Sequence, residues 1–101
     1  MGADIDRPDI DGWTPLIWAA KTGSEDIIEV LLSKNADLDH RDFEDNTALH
    51  VTARYGSGDV MQLLLDQGAK VLTNKSGMTC SHVAMEFQNS DVIMAIVRHQ
   101  R

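Results

Sequence analysis

The first acidic stretch of the chain has the composition of a cation-binding loop. Residues 4–13 read DIDRPDIDGW, in which four aspartates precede a Gly-Trp pair. An EF-hand loop needs oxygen ligands at its first, third and fifth positions, glycine at the sixth and a bidentate glutamate at the twelfth. If Gly12 takes the sixth position, Arg7 takes the first and Trp18 the twelfth. Neither side chain carries a carboxylate, so the stretch is not expected to bind calcium.

Four histidines and one cysteine could in principle bind a metal or act in catalysis. No third or fourth ligand stands at zinc-site spacing from His50 and His82, so these two are interpreted as structural hydrogen-bonding residues. His40 and His99 are interpreted as surface residues. Cys80 has no neighbouring cation in sequence to activate its thiol, and we expect it to be inert and partly buried at a helix start. With no catalytic triad, paired carboxylates or phosphate loop, the sequence predicts no enzyme, no metal site and no cofactor.

Composition and charge exclude several other functions. The chain has 101 residues, 43% of them hydrophobic, which is typical of a small folded protein. Its net charge of −7 argues against nucleic-acid binding, because no basic stripe is present to displace counterions from phosphates. The apolar runs are too short to cross a bilayer, no signal peptide is visible, and a single cysteine fits a reducing compartment.

The acidic stretch recurs further along the chain, as DLDHRDFEDN at residues 37–46. Sliding the chain by 33 positions aligns three aspartates of the two stretches, and the same slide aligns Thr14 with Thr47 and Gly23 with Gly56. A further slide of 32 positions carries Thr47 to Thr79. Self-similarity at this period indicates a stacked array in which no unit can bury its apolar face alone.

Within each unit the apolar spacing predicts two short amphipathic helices. Thr14 and Thr47 are expected to cap the first helix, and Pro15 fits its first position. Gly23 and Gly56 are expected to end that helix with a positive φ. The expected buried side of the second helix comprises Ile27, Ile28, Val30, Leu31 and Leu32 in one unit, and Val60, Met61, Leu63, Leu64 and Leu65 in the next.

Residues 11–43, DGWTPLIWAAKTGSEDIIEVLLSKNADLDHRDF, resemble an ankyrin repeat, whose pattern includes Thr-Pro-Leu-His, Ala-Ala, Gly and Leu-Leu at these offsets. Residues 44–75 and 76–101 resemble two further units, the last of them degenerate. Residues 1–10 resemble the closing loop of a preceding unit whose helices are absent. The resemblance implies an all-α ankyrin-repeat solenoid of about three helix-turn-helix units, joined by hairpin-like loops and cut from a longer array.

The sequence also departs from the ankyrin pattern. Ile17 stands where the family usually has His, so the first unit should lose the inter-unit hydrogen bonds of that side chain. The second unit is one residue short around residues 72–75, which should alter its turn. In the third unit Gln88 and Asn89 replace the glycine turn, and Asn89 is expected to take the left-handed conformation. The third unit is therefore predicted to be the least stable.

The resemblance implies that residues flanking the turn, and those just before the helix-ending glycine, are free to bind a partner. Here they are Trp13, Lys21, Thr22, Phe43, Asn46, Arg54, Tyr55, Met78, Glu86 and Phe87. Four of the five aromatic residues are among them, and the fifth, Trp18, is expected to pack against the next unit. Either these rings cover neighbouring loops, or they anchor a protein partner or neighbouring repeats of the same chain.

The loops carry carboxylates at Asp9, Asp11, Asp42, Glu44 and Asp45. Loop carboxylates are usually solvated charge with no further role. If they take part in binding, they would favour a basic partner and repel nucleic acid.

A finer resemblance concerns the run Asn35-Ala36-Asp37, residues 45–50, Asn74-Lys75 and the final residues 96–101. These are similar to the last repeats in the cytoplasmic N-terminal array of transient receptor potential ankyrin channels. That resemblance implies a piece of a homotetrameric cation channel, on the cytoplasmic side of the plasma membrane, that couples sensing or partner binding to gating. The alternative is a soluble ankyrin-repeat adaptor, scaffold or inhibitor.

Overall fold

The computed structural model describes residues 5–100, which form six α-helices. The helices are α1 Pro15–Thr22, α2 Glu25–Ser33, α3 Ala48–Tyr55, α4 Gly58–Asp66, α5 Cys80–Glu86 and α6 Ser90–His99. They form three antiparallel pairs, with α1, α3 and α5 in one row and α4 packed on α6 in the other. No β-strand occurs between residues 5 and 100, so the predicted all-α repeat solenoid is confirmed. Residues 1–4 of the predicted closing loop, and Arg101, lie outside the described residues.

A threonine stands at the N-cap of the first helix in each pair, as was predicted for Thr14 and Thr47. The Ile17 N–H donates to Thr14 Oγ1 at 3.4 Å, and Pro15 occupies the start of α1, where its missing N–H costs nothing. In α5 the His82 N–H donates to Thr79 Oγ1 at 3.5 Å. These bonds satisfy helix N–H groups that have no partner within the helix.

The glycine that follows each first helix has a different role in each unit. Gly23 has φ 74° and closes α1 in the left-handed conformation, as predicted. The same prediction for Gly56 is wrong, because its φ is −99°. A Cβ at Gly56 would lie 3.0 Å from Thr52 Cγ2 and 3.1 Å from the Ala20 carbonyl oxygen, so this glycine stands at a tight contact with the preceding unit. In the third unit Gln88, and not Asn89, takes the positive φ, at 54°.

The second helices bury less of their apolar surface in the first unit than the sequence predicts. Ile28 is fully buried, but Ile27 and Val30 are each 53% exposed. Val60 and Val92 occupy the position of Ile27 in the later units, and both are fully buried. No described unit covers that side of α2, so the prediction that Ile27 and Val30 are buried is wrong.

One side-chain oxygen organises each loop turn. Asp9 Oδ1 accepts from the backbone N–H groups of Asp11 and Trp13, both at 2.9 Å. Asp42 and Asn74 stand at the same place in the next two loops, and each accepts from the residues two and four positions further on. Such side-chain turns stabilise a loop that has few backbone hydrogen bonds of its own.

The shorter second unit keeps this turn unchanged, so the expected alteration at residues 72–75 is wrong. Asn74 N–H donates to the Met78 carbonyl, as Asp42 N–H donates to that of Asn46. The end of α4 also matches that of α2, because Ala69 and Ala36 make equivalent backbone bonds. The missing residue therefore falls between Ala69 and Asn74, in the approach to the turn.

No helix within residues 5–100 is long and apolar enough to cross a membrane.

A glycine sets the distance between α4 and α6. A Cβ placed on Gly58 would lie 2.7 Å from the Asp91 carbonyl oxygen, closer than real Cβ atoms come to such an atom. The backbones of α4 and α6 pack closely at this point, whereas α2 and α4 have little backbone contact. Glu25 occupies the position of Gly58 in α2 and is exposed. In the second row of helices, the second and third units are therefore closer together than the first and second.

Replacing Gly58 with alanine should loosen the contact between α4 and α6. Overpacking costs about 1–3 kcal/mol, and the better helix propensity of alanine offsets up to about 1 kcal/mol. We expect urea denaturation to show a net loss of about 1–2 kcal/mol in the free energy of unfolding. Glu25→Ala, the matched control, should change it by less than about 0.5 kcal/mol. Equal effects of the two substitutions would contradict the close approach.

Candidate binding groove

All five aromatic side chains of the chain line two adjoining hollows of about 240 and 540 Å³. The hollows share Trp13 and Tyr55 and lie between the last turns of the first-row helices and the tips of the loops. We call them together the aromatic groove. The apolar side chains in the buried core of the stack are aliphatic, apart from Met61 and Cys80. The aromatic residues are therefore concentrated on one surface of the protein and absent from its fully buried interior.

The two tryptophans are held as an edge-to-face pair with ring centroids 4.8 Å apart. Trp13 Nε1 donates to Asp42 Oδ2 at 2.9 Å, and Trp18 Nε1 donates to Asp9 Oδ2 at 2.8 Å. Because both indole N–H groups are satisfied, the rings can face the groove without leaving a polar group unpaired. Trp18 is 44% exposed and its polar partner lies in the preceding loop. That its ring packs against the next unit stays a prediction.

The two loop carboxylates that hold the indoles differ from the solvated charges that the sequence suggested. Asp42 is buried, and it accepts from two backbone N–H groups as well as from Trp13. Asp9 is exposed, and the backbone N–H of Trp13 followed by the indole of Trp18 lowers the pKa of its carboxyl below 3.8. Both carboxylates already accept hydrogen bonds from within the protein. Only the other carboxylates of the loops remain available to bind a partner.

Two cations are stacked on the rings of the groove. Lys21 Nζ lies 5.8, 5.4 and 5.1 Å from the ring centroids of Trp13, Trp18 and Tyr55. Arg54 Cζ lies 4.9 Å from the centroid of Tyr55 and 4.8 Å from that of Phe87. These distances are typical of cation–π contacts, which fix the position of otherwise flexible side chains. Rings and cations thus form one continuous row from the first unit to the third.

The groove contains nine of the ten residues singled out from the sequence. They are Trp13, Lys21, Phe43, Asn46, Arg54, Tyr55, Met78, Glu86 and Phe87. Thr22 is the exception, because its hydroxyl bonds to the Ala19 carbonyl and to Ser24 at the end of α1. That these residues bind a partner stays a prediction.

Sequence reasoning missed several residues of the groove wall. Trp18 lines the larger hollow, and Asp11 and Glu44 lie at its loop side. The spacing of Trp18 and Lys21, three positions apart on α1, could have indicated Trp18, because such residues share a helix face. No spacing in the sequence indicates that Glu44 lines the groove, because its position depends on how the loop folds.

His50 connects two units, as expected of a structural histidine. Its Nδ1 accepts from the Thr47 N–H at 3.1 Å, so Nε2 carries the proton and donates to the Met78 carbonyl at 2.8 Å. Ile17 holds the equivalent place in the first unit and is buried without such a bond. His40 differs from the expected surface residue, because it is half-buried and its Nε2 lies 3.1 Å from the Gly12 carbonyl oxygen.

The remaining candidate groups show no sign of reactive chemistry. Cys80 is 1% exposed, and burial raises the pKa of its thiol above 9.0, which disfavours the reactive thiolate. Within residues 5–100, no three His, Cys, Asp or Glu side chains are placed to hold a metal ion.

Acidification should weaken the contact between the second and third units, because His50 becomes protonated. Burial lowers the pKa of His50 in the folded protein below 6.5, its ordinary value. The neutral imidazole therefore contributes its full stabilisation above pH 6.5. This contribution is lost as the pH falls through the folded-state pKa. We expect the urea midpoint to fall between pH 7.5 and 5.5, and to fall less in His50→Gln. His82→Gln, at the equivalent exposed position, should keep the wild-type pH dependence; an unchanged pH dependence in His50→Gln would contradict this role.

Comparison with protein families gives two matches. Residues 11–43 match the family model described as ankyrin repeat, and residues 37–101 match the model described as ankyrin repeats, three copies. No curated protein matches the chain.

Proposed function

Because this chain belongs to the ankyrin repeat family, whose repeats are non-catalytic protein-interaction modules, we propose that it binds a protein partner in the aromatic groove. The observation that carries this proposal is the placement of all five aromatic residues along that groove. Tyr55 is 47% exposed and Phe87 46% exposed, while the helices beneath them pack with small and aliphatic side chains. Burying such a ring would stabilise the fold by about 25 cal/mol for each Å² of apolar surface removed from water, and an exposed ring lacks this contribution.

Aromatic and arginine side chains dominate the binding energy of protein interfaces, and the groove supplies both. Tyr55, Phe87 and Arg54 lie together, so a partner segment that covers the two rings also contacts the guanidinium. The cations keep the rings in place before binding, which reduces the entropy lost when a partner orders them. The groove is therefore suited to a partner that inserts apolar or aromatic side chains.

Removing the exposed rings should weaken partner binding more than it lowers stability. Peptides selected on the wild-type chain from a displayed library would be measured against Tyr55→Ala and Phe87→Ala. We expect each variant to bind about tenfold more weakly, a loss of about 1.4 kcal/mol. Thermal unfolding should change little, because both rings are about half exposed.

The control variant is Val71→Ala, which removes an exposed apolar side chain that does not line the groove. It should bind the selected peptides as the wild type does. If the ring variants keep full affinity but melt at lower temperature, the rings are packing residues and the proposal is wrong.

We propose further that the chain is a piece of the cytoplasmic array of a transient receptor potential ankyrin cation channel. The support is the resemblance in Asn35-Ala36-Asp37, residues 45–50 and Asn74-Lys75. In such a channel the module would act on the cytoplasmic side of the plasma membrane within a homotetramer, and would pass partner binding to the pore. A soluble adaptor, scaffold or inhibitor is the alternative, with the same groove.

The full reading frame that contains this chain distinguishes these two functions. A channel requires downstream apolar stretches of about 20 residues, each long enough to span the hydrocarbon core of a bilayer. We expect such stretches after residue 101. A reading frame that lacks them would eliminate the channel and leave the soluble binding protein.

A further inference from the structure

We infer that the aromatic groove receives an acidic side chain of its partner, held by Lys21 and Arg54 beside the ring of Tyr55. This inference rests on the proposed function, in which the groove is the binding site, and it names the chemistry of the occupant. It reverses the preference for a basic partner that the loop carboxylates suggested.

Lys21 and Arg54 occupy equivalent places in successive units, in the last turns of α1 and α3. The Lys21 Nζ lies 5.1 Å and the Arg54 Cζ 4.9 Å from the centroid of the same Tyr55 ring. The helix dipole explains why a cation is favoured in the last turn of each helix. It does not explain why both cations lie beside the same tyrosine ring. Lys21 lines the larger hollow and Arg54 the smaller one, and an anion bound beside the ring of Tyr55 would be attracted by both charges.

Neither cation has an acidic partner in the part of the chain that the structure describes. Among residues 5–100 the ion pairs join Arg41 with Asp45 and His99 with Asp66, and neither pair involves Lys21 or Arg54. No side-chain N–H of Lys21 or Arg54 donates to a protein acceptor in that part of the chain. This is unusual in a protein with 16 acidic and 9 basic residues, where carboxylates are plentiful.

The acidic residues around the groove do not take this role. Asp42 is buried and already accepts three hydrogen bonds, and Asp9 bonds to Trp18 and to the loop backbone. Asp11 and Glu44 are exposed at the loop tips, and Glu86 is exposed at the end of α5. None of these three lies within 4.0 Å of Lys21 or Arg54. As exposed charges they contribute little to affinity.

Stacking makes the two cations better carboxylate receptors than free surface cations would be. Lysine and arginine side chains lose about 2 kcal/mol of rotamer entropy when they are fixed, and the rings have already restricted them. The guanidinium of Arg54 lies over Tyr55 and Phe87 and makes no hydrogen bond or ion pair with residues 5–100, which leaves its N–H groups free to bind a carboxylate at two points. The expected occupant is a segment with an Asp or Glu next to an apolar or aromatic residue.

Three pools of amidated, acetylated twelve-residue peptides test this inference. Each pool combines Tyr, Leu, Pro and Gly with one further class, which is Asp and Glu, Lys and Arg, or Asn and Gln. Affinity for the 101-residue chain is measured by fluorescence anisotropy with a neutral dye at 0.15 M salt, where long-range charge effects are screened beyond about 8 Å. We expect the acidic pool to bind at least about fivefold more tightly than the neutral pool, a difference of about 1 kcal/mol.

The double variant Lys21→Glu/Arg54→Glu should lose the preference for the acidic pool and acquire one for the basic pool. Its matched control, Lys70→Glu/Arg98→Glu, changes the net charge equally, and Arg98 also lies in the last turn of a helix. The control should keep the acidic preference. Lys21→Gln/Arg54→Gln removes the charges without reversing them, and circular dichroism verifies that each variant is folded.

Two results would overturn the inference. One is a basic or neutral pool that binds the wild type as tightly as the acidic pool does. The other is an acidic preference that persists in Lys21→Gln/Arg54→Gln. If all pools bind the wild type equally and all bind Tyr55→Ala more weakly, the groove remains the binding site. Only the inference that it receives a carboxylate is then wrong. If binding is indifferent to Tyr55→Ala, the proposed function fails as well.

Discussion

None of the six helices in residues 5–100 can be stable alone, and the rest of the structure follows from that constraint. The helices are 7 to 10 residues long, shorter than the 12–15 residues at which isolated helices become even marginally stable in water. Each must bury its apolar side against a neighbour, and most of that neighbouring surface belongs to another unit. The contrast between fully buried Val60 and half-exposed Ile27, at equivalent positions, shows how far burial depends on the adjacent unit.

Polar contacts determine how the units are placed relative to one another. Asp42 holds its own loop turn and also accepts the indole N–H of Trp13 from the preceding unit. His50 bonds to the Met78 carbonyl in the following unit, and Asn89 donates back to the carbonyls of Ala53 and Gly56. Apolar packing alone would allow neighbouring helices to slide, but directional bonds of this kind allow one register. The groove inherits its geometry from that register, because its rings come from all three units.

Features that depend on one unit could be predicted from the sequence. The period, the threonine caps and the left-handed Gly23 need only local spacing and backbone preference, and they are as expected. Features that depend on contact between units could not be predicted. Gly56 looks like a second turn glycine until the carbonyl of Ala20 is placed against it, and Asp42 looks like a solvated loop charge until Trp13 reaches it. The resemblance to ankyrin repeats indicated most of the groove residues, but the pairing of each cation with its rings required the three-dimensional fold.

Both tryptophans, Trp13 and Trp18, lie in the first unit, although the helices extend evenly over three. Their emission therefore reports the environment of one end of the stack, while far-ultraviolet circular dichroism reports all six helices. In a linear array whose units contact only their neighbours, the ends can unfold before the middle. This chain thus contains its own local optical probe, and any separation of the two signals during unfolding measures how cooperatively the units hold together.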